Sequence, residues 1–178
     1  MEKICDHFHL SLQSGCDETL KRMNRKYSTE EFKQSVFFLR ESFPNVAITT
    51  DVIVGFPGET EDEFSKTFDF LKNINFNKMH VFKYSPRKGT VAEKMKEQVP
   101  ESIKEERSKK LINLSNQNEK EFIKKFIGKE LTVLFEEEKN GMFQGHTTNY
   151  ITVKTKEKQK KNSIINITLT DLSGVGMP

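Results

Sequence analysis

Cysteine and tryptophan are the residues that this chain of 178 residues has least of: two cysteines and no tryptophan, against 15 phenylalanines. Cys5 and Cys16 alone make neither a disulfide framework nor a closed metal site. No apolar run is long enough to span a membrane, and the polar start predicts no signal peptide. We therefore expect a cytoplasmic protein without a membrane partner, whose aromatic core consists mostly of phenylalanine.

A strong excess of one charge is also missing. Lysine and arginine number 29 and aspartate and glutamate 26, which gives a formal net charge of +3. This balance neither demands nor excludes a nucleic-acid partner, so the distribution of the charges has to decide. With 34% hydrophobic and 31% charged residues, the composition is typical of a polar globular protein.

About the first ninety residues follow a β-α-α-β-α-β order, which indicates a parallel sheet with helices. Apolar runs predict strands at 8–12, 46–54 and 78–84. Two capping boxes, Ser28 with Glu31 and Thr60 with Glu63, predict helix starts. A long polar helix is expected from Pro100 to about residue 126, and Gly128 is expected to end it.

The pattern changes after Gly128, where no helical periodicity remains. Short strands are predicted at 131–135, 142–147, 150–154 and 164–172, which favours a small all-β barrel. We therefore place residues 1–127 in a partial parallel (β/α) barrel and residues 128–178 in a second, all-β domain.

Three parallel strands with helices make an open part of a barrel, because eight such units need roughly 250 residues. The pattern is typical of the second half of a larger protein. The first strand lies near residue 1, so one sheet edge is expected to lack a neighbour. Such an edge is a route to self-association.

The ends of the three predicted parallel strands should meet at one rim of the sheet. They carry Gln13 and Ser14, the segment 51–58, and Ser85 with Arg87. Amide, hydroxyl, carboxylate and guanidinium groups beside apolar walls are suited to a nucleoside-like ligand. Each residue alone has a simpler role, since Gln13 and Ser14 could cap a helix and Asp51 could pair with a base. The three groups together favour a ligand site.

No nucleophile–base pair and no metal site is predicted. His80 and His146 are isolated in the sequence, and His9 is expected to be a polar residue inside the barrel. Cys16, in a turn after a strand, is expected to be a small buried residue.

The second domain contains a lysine-rich run between two predicted strands. Its lysines, together with Asn149 and Tyr150 nearby, form a candidate RNA-binding surface: Lys154, Lys156, Lys158, Lys160 and Lys161. A solvated hairpin loop explains the run equally simply. An effect of these lysines on RNA affinity would separate the two interpretations.

Four segments in this order and spacing resemble the radical S-adenosylmethionine methylthiotransferases. They are residues 9–15 (HLSLQSG), 20–25 (LKRMNR), 51–60 (DVIVGFPGET) and 84–90 (YSPRKGT). Residues 145–150 (GHTTNY) lie in a tail similar to the TRAM domain of this family, a small OB-like RNA-binding barrel. Within the family, the chain most resembles the branch that acts on threonylcarbamoyladenosine of tRNA beside the anticodon.

The resemblance implies a transferase that adds a methylthio group to tRNA by radical chemistry. It implies S-adenosylmethionine and two 4Fe–4S clusters as cofactors of the full-length protein, and tRNA as the partner. The implied cofactor-binding residues are Gln13, Ser14, Asp51, Ile53, Gly55, Pro57, Gly58, Ser85 and Arg87.

The cysteine motifs that hold both clusters in the family do not occur in this sequence, and Cys5 and Cys16 cannot replace them. We therefore expect a fragment that is inactive alone and contains no catalytic residue. The alternatives are the branches that act on isopentenyladenosine of tRNA or on an aspartate of a ribosomal protein, and a non-catalytic RNA-binding module.

Overall fold

The computed structural model of the chain describes residues 4–172 and 176–177. Its helices are α1 Asp17–Arg22, α2 Thr29–Ser42, α3 Glu61–Ile74 and α4 Glu101–Lys124, with a short 3-10 turn at Ala92–Lys94. Its strands are β1 His7–His9, β2 Ala47–Val54, β3 Lys78–Lys83, β4 Glu130–Lys139, β5 Met142–Thr147, β6 Thr152–Thr155, β7 Ser163–Leu169 and β8 Gly176–Met177.

The chain divides into two compact units. The α/β unit contains residues 9–44 and 48–118, and the β unit contains residues 1–8, 45–47 and 119–178. The last turns of α4 thus group with the β unit. The domain boundary predicted between residues 127 and 128 stays a prediction.

A three-stranded sheet in the order β1-β2-β3 organises the α/β unit. β2 and β3 are parallel, with Asp51 opposite His80 and Ile53 opposite Phe82, which confirms the predicted α/β architecture with a parallel sheet. The first predicted strand is shorter than expected. Beyond β1, the side chain of Thr50 replaces backbone pairing between the strands. Its hydroxyl donates to the Leu10 carbonyl at 2.6 Å and accepts from the Leu12 amide at 3.1 Å.

Helix starts in this unit follow the predicted capping boxes. Ser28 and Glu31 cap α2, and Thr60 and Glu63 cap α3, with each pair bonded in both directions. α1 differs, because Cys16 stands at its N-cap and makes no side-chain capping bond. Cys16 is buried, as predicted. The apolar core consists of side chains from the sheet and the helices: Leu12, Leu20, Val36, Ile48, Val52, Val54, Leu71, Phe76 and Leu111.

α4 covers the outer edge of β3. The Ser115 hydroxyl accepts a hydrogen bond from the Met79 amide at 2.8 Å and donates one to the Met79 carbonyl at 3.2 Å. Both backbone groups lie on the side of β3 away from β2, so the helix satisfies groups that a sheet edge otherwise leaves open.

The β unit contains an antiparallel sheet in the order β6-β5-β4-β7-β8. Its buried cluster is apolar and includes Phe126 from beyond α4: Phe126, Val133, Phe135, Ile151, Val153, Ile167 and Leu169. Gly145 has no room for a side chain, because a Cβ there would lie 2.2 Å from the Leu134 carbonyl oxygen. The predicted all-β character is present in these strands, and a closed barrel stays a prediction.

Among the described residues, no helix is both long and apolar enough to cross a membrane.

Candidate cofactor cleft and nucleic-acid surface

A cleft of about 510 Å³ opens in the α/β unit at the carboxyl ends of the parallel strands. Five of the nine predicted cofactor-binding residues line it: Gln13, Asp51, Ile53, Ser85 and Arg87. They come from three successive strand ends, as the sequence predicted. Their assignment to a cofactor remains a prediction.

Backbone hydrogen bonds hold these strand ends together. The Gln13 amide donates to the Asp51 carbonyl at 2.8 Å, and the Ile53 amide donates to the Gln13 carbonyl at 2.9 Å. Gln13 has a φ of 73°, a left-handed conformation that is rare for a residue other than glycine. The turn therefore carries local strain at the point where the chain enters the cleft wall.

Aromatic and basic residues that sequence reasoning did not assign complete the cleft. They are Arg25, Phe56, Phe82, Lys83 and Tyr84, with Thr90 and Ala92. The rings of Phe56 and Tyr84 meet edge to face at 5.3 Å between centroids. Arg25, Phe56 and Tyr84 lie within the segments that carry the family resemblance. The resemblance could therefore have pointed to them as cleft residues.

The Tyr84 hydroxyl oxygen is buried and has no hydrogen-bond partner among the described residues. Burial also raises the pKa of Tyr84, so the phenol keeps its proton. An unsatisfied buried donor in the wall of a cleft indicates a polar ligand or an ordered water.

The other four predicted residues do not line the cleft. Their polar groups form hydrogen bonds with other parts of the protein. Ser14 is fully buried and shares a hydrogen bond of 3.1 Å with Thr67 Oγ1. The Pro57 carbonyl accepts from Arg22 Nε at 3.3 Å, and the Gly58 amide donates to the Glu97 carbonyl at 2.7 Å.

Gly55 is needed for packing against α4. A Cβ there would lie 2.3 Å from Lys104 Cγ, and its φ of +70° favours glycine. The Gly55 amide donates to Glu59 Oε2 at 2.5 Å. The resemblance implies that Gly55 and Gly58 bind the cofactor, but both of their amides donate to protein groups and are not free for a ligand.

A buried ion pair supports this turn. Arg107 of α4 donates to Glu59 Oε2 at 2.8 Å and to the Glu59 carbonyl at 3.0 Å, and both side chains are at most 5% exposed. Burial raises the pKa of Glu59, against the opposing effects of the Gly55 amide and of Arg107. This charge network fixes the turn beside the cleft.

A second pair joins α1 to the start of α3. Arg22 binds Glu63 in bidentate fashion at 2.8 and 2.6 Å. This contact holds the pKa of Glu63 below its ordinary value. Neither residue was assigned from the sequence beyond the capping role of Glu63.

Cys5 and Cys16 do not fit a 4Fe–4S cluster. Cys16 is buried, its thiol donates to Glu18 Oε2 at 2.9 Å, and burial raises its pKa, which disfavours the thiolate that iron needs. Cys5 is exposed. This chain therefore offers no set of thiolates for either cluster.

The predicted RNA surface of the β unit is only partly accessible. Lys156, Lys158, Lys160 and Lys161 are exposed, and Lys154 is half-buried. Asn149 is only 4% exposed, and its side chain is bonded to Thr147 Oγ1 at 2.6 Å and to the Asn45 carbonyl at 3.3 Å. Asn149 thus supports the turn.

Tyr150 is 62% exposed although its ring stacks on two histidines of the β unit. It stacks on His146 at 4.8 Å and on His7 at 4.6 Å between ring centroids. The two histidines compete with a nucleic-acid base for the faces of this ring. RNA binding by this surface stays a prediction.

A comparison with protein-family models identifies the superfamily of the first part of the chain. Residues 1–71 match the model of the radical SAM superfamily. Coproporphyrinogen III oxidase from Escherichia coli, a radical SAM enzyme, has a similar fold, with a TM-score of 0.55 at 20% identity over 64% of this chain and 27% of that one. The likeness supports a radical SAM fold.

The particular family follows from sequence. The chain is 45% identical over 157 residues to a threonylcarbamoyladenosine tRNA methylthiotransferase of Bacillus subtilis, covering 85% of this chain and 35% of the relative. It is 47% identical over 135 residues to a tRNA-2-methylthio-N(6)-dimethylallyladenosine synthase of Acetivibrio thermocellus, covering 76% and 28%. The chain is a homologue of the radical SAM methylthiotransferases, and it spans about a third of the length of these relatives.

Proposed function

We propose that this chain forms the adenosyl-binding part and the RNA-binding part of a tRNA methylthiotransferase. The observation that carries the proposal is the cleft itself. It gathers Gln13, Asp51, Ile53, Ser85 and Arg87 at the carboxyl ends of parallel strands, in a homologue of such enzymes. In parallel α/β folds, this rim is where ligands bind.

The cleft fits S-adenosylmethionine in size and chemistry. Its volume of about 510 Å³ lies in the range of small-molecule sites. Ile53 and Phe56 would provide apolar contact for the adenine, and Gln13 and Asp51 would provide polar contact for the ribose. The unpartnered Tyr84 hydroxyl would donate to the ligand.

Ser85 and Arg87 would hold the carboxylate of the methionine part, because a guanidinium recognises carboxylates in a planar, bidentate way. Bound S-adenosylmethionine would supply a methyl group and, after reduction by one electron from an iron–sulfur cluster that this chain does not hold, the adenosyl radical. The residues of this chain would bind it, orient it and keep water from the adenine. No step is assigned to an iron–sulfur cluster here, since Cys5 and Cys16 do not fit one.

The substrate we propose is N6-threonylcarbamoyladenosine beside the anticodon of tRNA, which would be modified in the cytoplasm. The relatives bear the names of both tRNA branches at similar identity. The branch therefore rests on the resemblance of the motifs. The lysine loop of the β unit, residues 154–161, would contact tRNA phosphates. The approach of β8 to β6 supports a TRAM-like barrel, since a Gly176 Cβ would lie 3.4 Å from Val153 Cγ1.

Calorimetric titration of this chain with S-adenosylmethionine tests the cleft. Arg87→Ala should weaken binding by roughly tenfold or more, because it removes a hydrogen bond between charged groups. Lys88→Ala is the matched control, since Lys88 is the neighbouring cation and does not line the cleft. Equal effects of the two variants, or no binding to the unaltered chain at millimolar cofactor, would contradict the proposal.

Deletion of the full-length gene tests the substrate. Mass spectrometry of bulk tRNA should then show threonylcarbamoyladenosine without its methylthio group, while the dimethylallyl derivative keeps its own. The opposite pattern would assign the other tRNA branch. Unchanged tRNA nucleosides would rule out both tRNA modifications as the function of the gene.

A non-catalytic RNA-binding module is the second candidate. The exposed lysines and the absence of a fitting cluster site among the described cysteines favour it. Binding of tRNA by the chain, together with unchanged nucleosides in the deletion strain, would support this function over the first.

A further inference from the structure

We propose that His9, Asp51 and His80 form a binding site for a divalent transition-metal ion such as Zn²⁺. Each residue offers one ligand atom, and the three atoms lie within 4.8 Å of one another. The three side chains belong to β1, β2 and β3 of the α/β unit. The inference does not depend on the proposed function, but Asp51 also lines the cofactor cleft, so metal binding has to be measured without S-adenosylmethionine.

The pairing of the strands brings the three residues together. Asp51 and His80 are register partners in the parallel pair β2–β3. On the other side of β2, the Leu10 amide donates to the Thr49 carbonyl at 2.9 Å, which sets His9 beside Asp51. His80 is exposed whereas Met79 beside it is buried, so the histidine points away from the apolar core.

Both ring nitrogens of His9 contact oxygen atoms, and one of its two neutral tautomers directs a lone pair at Asp51. Nδ1 lies 3.0 Å from Thr49 Oγ1, and Nε2 lies 3.2 Å from Asp51 Oδ2. When Nδ1 carries the proton and donates to Thr49, the lone pair of Nε2 faces the lone pairs of a carboxylate. A cation between the two atoms turns this repulsion into attraction.

Histidines that bind metals commonly show this arrangement, with one ring nitrogen held by a second group and the other directed at the ion. In His9, Thr49 would be the group that fixes the ring. His9 and His80 also lie close together, with ring centroids 5.9 Å apart.

Two imidazoles and one carboxylate select the class of metal. These ligands suit Zn²⁺, Fe²⁺ or Co²⁺ and are a poor match for Mg²⁺ or Ca²⁺, which prefer oxygen. Bonds to such ions measure about 2.0–2.2 Å, so the ligand atoms must draw closer on binding. The exposed side chain of His80 can rotate to do so. Three protein ligands leave at least one coordination position open.

Zn²⁺ titration of the untagged chain by calorimetry tests the site, in a Cys5→Ser background that removes the exposed thiol. One ion per chain should bind at micromolar concentration. His80→Gln and Asp51→Asn should each weaken binding by about tenfold or more. Co²⁺ should give visible absorption bands that the same substitutions reduce.

The control variant is His146→Gln in the β unit, which removes the other described histidine that pairs with a carboxylate, Glu136. It should leave the affinity for Zn²⁺ unchanged. No binding, equal binding by the His80→Gln variant, or loss of binding only in the His146→Gln variant would each overturn the proposal. Circular dichroism of each variant checks folding, and His80→Gln decides the result if Asp51→Asn does not fold.

Discussion

The two units of this protein handle charge in opposite ways. The α/β unit buries the ion pair of Arg107 with Glu59, and it also holds the buried Glu63 against the half-buried Arg22. The described core of the β unit is apolar, and its lysine loop is exposed to solvent. Buried pairs add little net stability, but they fix geometry when every partner is present. The difference teaches that buried charge is placed beside the cleft, where it fixes a turn, whereas the described cluster of the β unit relies on apolar packing alone.

The largest effect should come from breaking the buried pair of the α/β unit. Arg107→Ala leaves the Glu59 carboxylate buried without its partner and should lower the free energy of unfolding by about 3–5 kcal/mol. Urea denaturation followed by circular dichroism measures the loss. Lys109→Ala removes an exposed pair with Glu105 on the same helix and should cost at most about 0.5 kcal/mol. Similar losses of unfolding free energy in both variants would contradict the expectation that the buried pair matters more than the exposed pair.

The matching test in the β unit removes apolar volume. Ile167 is fully buried among the side chains of the antiparallel sheet. Ile167→Ala should cost about 2–5 kcal/mol through lost burial and the cavity that remains. The cost should not change with pH, because no titrating group replaces the lost methyl groups. A pH-dependent cost would show that this core also relies on charge.

Acid should weaken the α/β unit through Glu63. The contact with Arg22 lowers the pKa of Glu63 below 4.5 in the folded chain. Its stabilising effect is therefore fully present above the ordinary glutamate pKa and is lost as the pH falls through the lower folded value. Denaturation midpoints measured down to strongly acidic pH should fall less steeply for Glu63→Gln than for the unaltered chain. Parallel curves would contradict this assignment.

The smallest effect on stability should come from the lysine loop. Replacing Lys158, Lys160 and Lys161 by glutamate should leave unfolding nearly unchanged, since all three are exposed. The affinity for tRNA should fall regardless of sequence, and its salt dependence should weaken by roughly one unit of slope per lysine. Filter binding across a salt series measures both. Unchanged tRNA affinity would mean that the loop only keeps the surface solvated.

Local signals in the sequence predicted most of the α/β unit. Short stretches of sequence identify several elements correctly. They are the capping boxes at Ser28 and Thr60, which start helices, and the apolar residues before Gly55, which form a strand. The sequence also placed Gln13, Asp51 and Arg87 at one rim, because carboxyl ends of parallel strands meet there. Hydrophobicity alone does not mark the buried face of α2, because Phe37 is 58% exposed whereas Val36 beside it is fully buried.

Contacts between distant residues could not be predicted in this way. Arg107 reaches Glu59 across 48 positions, and His80 reaches the neighbourhood of His9 only because two strand registers align. No local pattern marks either contact. For the same reason the sequence left His80 as an isolated histidine.

The seat of α4 on Met79 limits how copies of this chain can assemble. A β-sheet polymer grows only when each copy has unpaired backbone groups at both edges of its sheet. Here the Ser115 hydroxyl occupies both main-chain groups of Met79, so the β3 side is closed to an incoming strand. Pairing of copies through the three-stranded sheet would therefore be interrupted at Met79, and a fibre that needs an unbroken ladder of backbone hydrogen bonds cannot extend across this edge.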